Sequence, residues 1–207
     1  MSKLLVSAFI LLPLLVAGGA RHASAQAASA AASKDTTAPS YDMKAQSLLD
    51  LDGVNKKFVS LANALPQNKF TWRPSADARS FAEVLLHVAG ERYQILALMG
   101  APVPAGFDPK AYEHSTTDKA KIIDDLNTTS AFAQSTIDGM SNADFAKLVP
   151  KLGPQANEGD VVYILVADAH EHLGQSVAYA RVNGVVPPWT VAAKKKAAER
   201  KSQPQTQ

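Results

Sequence analysis

Cysteine is absent from this 207-residue sequence. No disulfide can brace the fold, and no lipidated cysteine can follow the apolar stretch near the N-terminus. Stability must therefore come from a packed core, a metal or a partner. About 150 structured residues are enough to bury a substantial core unaided. Alternation of apolar and polar residues over strand-like lengths is missing too, and so is any internal repeat. The chain has no G-x-S-x-G elbow, no phosphate-binding loop and no H-E-x-x-H pair, so none of the common nucleophile, nucleotide or zinc-protease motifs applies.

Basic charge is scarce in the body of the chain. The formal net charge is +2, but Lys3 and Arg21 supply that excess from the first 25 residues. Lys194, Lys195, Lys196, Arg200 and Lys201 against Glu199 give the segment after Thr190 a net +4, which leaves residues 26–190 at about −4. An acidic body offers nothing for nucleic acid to bind. Residues 1–25 read as a secretory signal, with Lys3, a short apolar stretch over 4–17 and the small-residue site Ala23-Ser24-Ala25. The stretch falls short of the roughly 20 residues a membrane span needs. These features predict a periplasmic or secreted protein with no membrane attachment once the signal is removed. Residues 26–40 are rich in Ala, Ser and Thr and read as a flexible linker. Residues 191–207 read as a disordered basic tail.

The stretch between them is periodic. Leu48, Leu51, Val54, Phe58 and Leu61 recur at helical steps and stop before Pro66. Ser80 and Glu83 form a capping-box pattern that starts a second helix, which Gly100 ends. A Pro-rich loop over 101–115 follows, of a kind that often covers a pocket. A third helix is expected from Thr117 to Gly139 and a fourth from Asp160 to Asn183, with Gly184 as its stop. Four long helices and three connections predict an all-α, antiparallel four-helix bundle over residues 41–190.

Three of the body's four histidines, His87, His170 and His172, lie on the two most apolar helices; the fourth, His114, is in the Pro-rich loop, where solvent exposure is expected. Asp168 and His172 are one helical turn apart and project to one side, able to converge on one ion. His170 lies about 200° round the helix from each. Mid-helix, His87 needs a hydrogen-bond partner or a ligand role. One histidine from the second helix plus an Asp-x-x-x-His pair from the fourth gives three ligands with open positions for water or substrate. Gly174, which costs its helix about 1 kcal/mol relative to Ala, predicts close packing at that point.

Three strings, LPQNKFTWRP over 65–74, SFAEVLLHVA over 80–89 and HEHLGQSVAYARVNGVVPPW over 170–189, resemble the DinB-like (YfiT-like) metal-dependent bundles, especially their smaller second branch. The resemblance covers about 150 residues, from Tyr41 to Thr190. It implies a metal centre built from a histidine on the second helix and an H-x-x-x-H pair on the last. His87 matches the first of these and His172 the last, but Asp168 stands where the pair's first histidine belongs. A carboxylate there is compatible with zinc, nickel or manganese, and His170 is available as a substitute ligand. The resemblance also implies a homodimer. Two functional readings stay open: a metal-dependent hydrolase or transferase acting on an unspecified small molecule, and a non-enzymatic bundle with a degenerate metal site that binds a small ligand or protein partner. No individual catalytic residue can be named from the sequence.

Overall fold

The computed structural model describes residues 42–202. The expected signal peptide, the linker and the last five residues of the tail lie outside the described residues. Among the described residues there are six α-helices: α1 (Met43–Ala64), α2 (Phe81–Ala97), α3 (Pro109–Glu113), α4 (Lys119–Asp138), α5 (Glu158–Val182) and α6 (Pro188–Ser202). Among the described residues there is no β-strand, only an isolated bridge between Leu148 and Asn157. No described helix is long and apolar enough to cross a membrane.

Local chemistry sets the helix starts. At α2 the capping box forms as the sequence predicts: Glu83 N donates to Ser80 Oγ at 3.3 Å, and Ser80 N donates to Glu83 Oε2 at 2.6 Å. The third and fourth long helices begin at caps other than the expected starts at Thr117 and Asp160. Asp118, not Thr117, accepts from Lys121 N at 2.8 Å. Asn157 and Asp160 form a second capping box, which moves the start of α5 back to Glu158. Gly184, at φ 79°, turns the chain after α5.

The four long helices pack as a ring in the order α1, α4, α2, α5. The ends of α1 and the starts of α2 and α4 meet at one pole. There Phe81 N and Ala82 N donate to Trp72 O and Phe70 O, and Lys119 Nζ donates to Asn63 O. At the other pole Lys44 Nζ donates to Met140 O. Both α2 and α4 therefore run opposite to α1, and the 98–118 connection carries the chain back along the bundle between them. Phe58, Phe70, Phe81, Leu85, Ile122, Leu126 and Leu165 are fully enclosed in the shared core, each worth roughly 1.5–3 kcal/mol by burial. Arg92, only 2 % exposed, ties three helices together from within: it donates to Leu126 O and Thr129 Oγ1 on α4 and to Asn55 Oδ1 on α1. Burial pulls its guanidinium down to about 10, so it stays charged at neutral pH.

Two segments depart from expectation. The Pro-rich connection contains α3, whose Asp108 cap accepts from Ala111 N at 2.7 Å. Phe107 and Tyr112 anchor it, their rings 5.5 Å apart and Phe107 stacked edge-on to Tyr93 of α2 at 5.3 Å. The basic segment after Thr190, expected to be disordered, is helical as far as Ser202. Pro188 suits a first helical turn, and the Ala, Lys and Arg residues beyond it are strong helix formers. No residue of α6 is fully buried, and only its first turn, through Trp189, packs against the core, so propensity shapes the rest.

Candidate metal centre

His87 and Glu91 stand one turn apart on α2 and share its inner side. His87 Nε2 lies 3.1 Å from Glu91 Oε1. Across from them α5 presents Asp168 and His172 at the same four-residue step. His172 Nε2 is 3.3 Å from Asp168 Oδ1 and 3.7 Å from Glu91 Oε2. The two imidazoles meet edge to face with centroids 4.7 Å apart. One ligand atom from each of His87, Glu91 and His172 lies within 4.8 Å of the other two.

Each imidazole is also held from behind. His172 Nδ1 is 2.9 Å from Gln175 Oε1, while Gln175 Nε2 donates to the Tyr179 hydroxyl at 3.1 Å. That second bond turns the amide oxygen toward His172, so Nδ1–H donates to it and Nε2 is the atom turned to the centre. Trp72 packs edge-on against Tyr179 at 5.2 Å and steadies this relay. His87 Nδ1 lies 3.2 Å from Glu113 Oε2, and the other oxygen of Glu113 accepts from Arg79 Nε at 2.7 Å. Glu113 comes from α3, so the covering segment is latched to the centre through this carboxylate.

The electrostatics match the geometry. Burial, reinforced by the neighbouring Asp168, pushes the Glu91 carboxyl up despite the pull of His87. Burial also works against the Asp168 carboxylate, but hydrogen bonds from His172 and Glu91 and the charge of both imidazoles hold it below the ordinary range. The hydrogen bond to Asp168 raises His172, outweighing its burial. Two carboxylates thus lie side by side among groups inclined to keep protons.

A divalent cation fits this arrangement. Two imidazole nitrogens and a carboxylate oxygen form a donor set for zinc, nickel or manganese. Glu91 Oε2 is buried and has no hydrogen-bond partner among the described residues, a deficit that a cation would remove.

His87, Asp168 and His172 are therefore brought together, and Glu91, which sequence reasoning passed over, stands at the focus of all three. Its signal was available, because Glu91 follows His87 by four residues on the same helix. Glu113 carried no such signal, since its approach depends on the fold of the 98–118 connection. His170 and Glu171 are exposed and take no part in the cluster. His114 is exposed as expected, its Nδ1 3.3 Å from Glu83 Oε1 at the rim. The close packing expected at Gly174 is not found: a Cβ there would meet nothing within 4 Å. Beside the centre the tight position is Gly90 on α2, where a Cβ would lie 3.2 Å from Tyr112 Cδ1. The bare backbone between His87 and Glu91 is what lets α3 approach α2.

Comparison with known proteins agrees with this reading of the fold. The chain is similar to a DinB-like protein from Bacillus cereus, with a TM-score of 0.59 at 15% identity over 69% of this chain and 93% of that one. It is also similar to YfiT from Bacillus subtilis, described as a probable metal-dependent hydrolase with an unusual four-helix bundle topology, with a TM-score of 0.56 at 13% identity over 72% and 93% of the two chains. No curated protein matches the chain. The family model for the DinB superfamily matches residues 50–176, a span that includes His87, Glu91, Asp168 and His172. Matched over more than half its length, the chain belongs to the DinB superfamily.

Proposed function

We propose that the protein binds one divalent ion through His87 Nε2, His172 Nε2 and Glu91, with Asp168 as an adjoining carboxylate, and serves as a metal-dependent hydrolase or transferase acting on a small molecule. The observation that carries this reading is the convergence of three ligand atoms within 4.8 Å, drawn from two antiparallel helices. The description of YfiT as a probable metal-dependent hydrolase supports the same chemistry. A bound ion of this kind supplies Lewis acidity to a water or substrate oxygen. The chain's own residues do the rest. Gln175 and Glu113 fix the two imidazoles so that their Nε2 atoms face inward, and Asp168 is held as a carboxylate beside the ligand set.

Metal content of protein purified without a histidine tag tests this reading. Near-stoichiometric zinc, nickel or manganese that is lost in the His87→Ala/His172→Ala double variant supports it. A metal-free protein whose melting temperature ignores added ions overturns it in favour of a non-enzymatic bundle.

Export to the periplasm or the exterior belongs to the same proposal, on the strength of the signal-like residues 1–25. Its test is the mature N-terminus, expected at Gln26. Homodimer formation is tested by the sedimentation mass of the purified chain.

A further inference from the structure

A cavity of about 380 Å³ opens between α2 and α3 beside the candidate centre, large enough for a small metabolite. His87 and Glu91 form its floor, and Arg79, Gln94, Lys110 and Glu113 are among its walls. We propose that this cavity takes a small substrate carrying a carboxylate, which Lys110 and the outer face of Arg79 bind while the reactive end of the molecule faces His87 and Glu91. This rests on the metal-centre reading above and adds the substrate class.

Unspent hydrogen-bonding capacity is the ground for it. The acids facing the cavity are already engaged: Glu91 with His87, and Glu113 with both His87 and Arg79. Glu83, at the rim, is engaged by Arg73, Ser80 and His114. The cations are not. Arg79 commits its Nε–H to Glu113, and its two terminal nitrogens make no hydrogen bond among the described residues. Lys110 has no ion pair or hydrogen bond among the described residues. The donors left free at the mouth are the terminal nitrogens of Arg79, Lys110 and the neutral amide of Gln94, so the only free charges there are positive, and the planar guanidinium edge suits a carboxylate. Glu91 and Glu113 nearby disfavour a doubly charged group such as a phosphate monoester, which makes a single negative charge the better match. The covering segment supplies Lys110 and Glu113 together, so an acid-tailed ligand would engage the same short helix that latches His87.

Calorimetric titration of the zinc-loaded full chain tests this, with three hydroxamates as probes: acetohydroxamate, the monohydroxamate of succinic acid, and the methyl ester of that acid. The acid-tailed probe should bind about tenfold tighter than its ester, the scale of one charge-assisted contact. Lys110→Ala should bring it down to the affinity of the ester. If acid and ester bind alike, the carboxylate inference is overturned while the metal centre stands. If none of the three binds the zinc-loaded chain, the inference is overturned; if the chain takes up no zinc, the metal centre reading fails, and the inference with it.

Discussion

Glu91 on α2 lies between His87 of its own helix and His172 of α5, with one oxygen 3.1 Å from the first ring and the other 3.7 Å from the second. One carboxylate thus bridges the two imidazoles that the fold brings together, and its second oxygen is left without a protein donor. In a folded interior that arrangement is unfavourable unless something positive completes it. The same residue that weakens the ion-free bundle is the one that makes an ion worth binding.

Glu91→Gln separates these two effects. The amide keeps the shape but removes the charge, so ion affinity should fall by more than the roughly 10- to 100-fold typical of losing a mere supporting partner. The melting temperature of the chelator-treated protein should hold or rise, because a buried, partly unsatisfied carboxylate has gone. Metal titration alongside thermal melts checks both. A variant with undiminished ion affinity, or one that melts well below the parent when ion-free, contradicts the assignment.

Proton and ion compete for the same atoms, which sets the direction of the pH dependence. His172 is raised in the folded protein, so its contribution to stability is complete below the unfolded imidazole value and is lost as pH climbs through the higher folded value. Glu91 is also raised by burial, so its ionisation with rising pH likewise disfavours the fold. Asp168 is depressed and acts the opposite way, its contribution lost only as pH falls through the acid range. From mildly acidic to mildly alkaline pH, the ion-free melting temperature should therefore decline while ion affinity increases. Melts in chelator and metal titrations over one pH series read out the two trends. An affinity that is flat across the imidazole range contradicts the ligand set.

How far the sequence revealed this site depended on whether a relationship was local or carried by the chain's return path. The capping box of Ser80 and Glu83 is encoded within four residues and forms as read. His87, Asp168 and His172 could be singled out because helical spacing and the resemblance put them on the walls of one bundle. Glu91 was equally local, one turn from His87, but an acid on a helix is commonly solvated and its inward placement is a tertiary fact. Glu113 was not accessible to such reading. Its place depends on α3 docking against the bare backbone of Gly90 through Phe107 and Tyr112, contacts between segments that no periodicity connects. The basic tail was misjudged because charge argued against packing, while helix propensity requires none.

Glu113 provides a graded test of the latch. Glu113→Ala leaves His87 Nδ1 without its acceptor and releases Arg79, so ion affinity should drop about 10- to 100-fold. Glu113→Gln can still accept from Nδ1–H and should lose less. Hydrogen exchange over residues 107–115 should quicken in the alanine variant, since the carboxylate joins α3 to α2 through both Arg79 and His87. If exchange there is unchanged, the segment is held by its aromatic anchors alone and the carboxylate is not a latch.

Asp168 is where this chain departs from the H-x-x-x-H pair of the bundles it resembles, and the consequence should be visible in metal preference. If Asp168 joins the ligand set, its carboxylate adds a second oxygen donor beside two nitrogens, which tolerates manganese better than an imidazole-rich site does. Asp168→His removes one member of the crowded carboxylate pair, relieving the like-charge contact that helps raise Glu91. The variant should favour nickel and zinc over manganese more strongly than the parent, and competition between manganese and zinc for the two proteins measures the change directly. An unaltered manganese-to-zinc ratio would mean that residue 168 stands outside the coordination shell, leaving His87, Glu91 and His172 as the ligands.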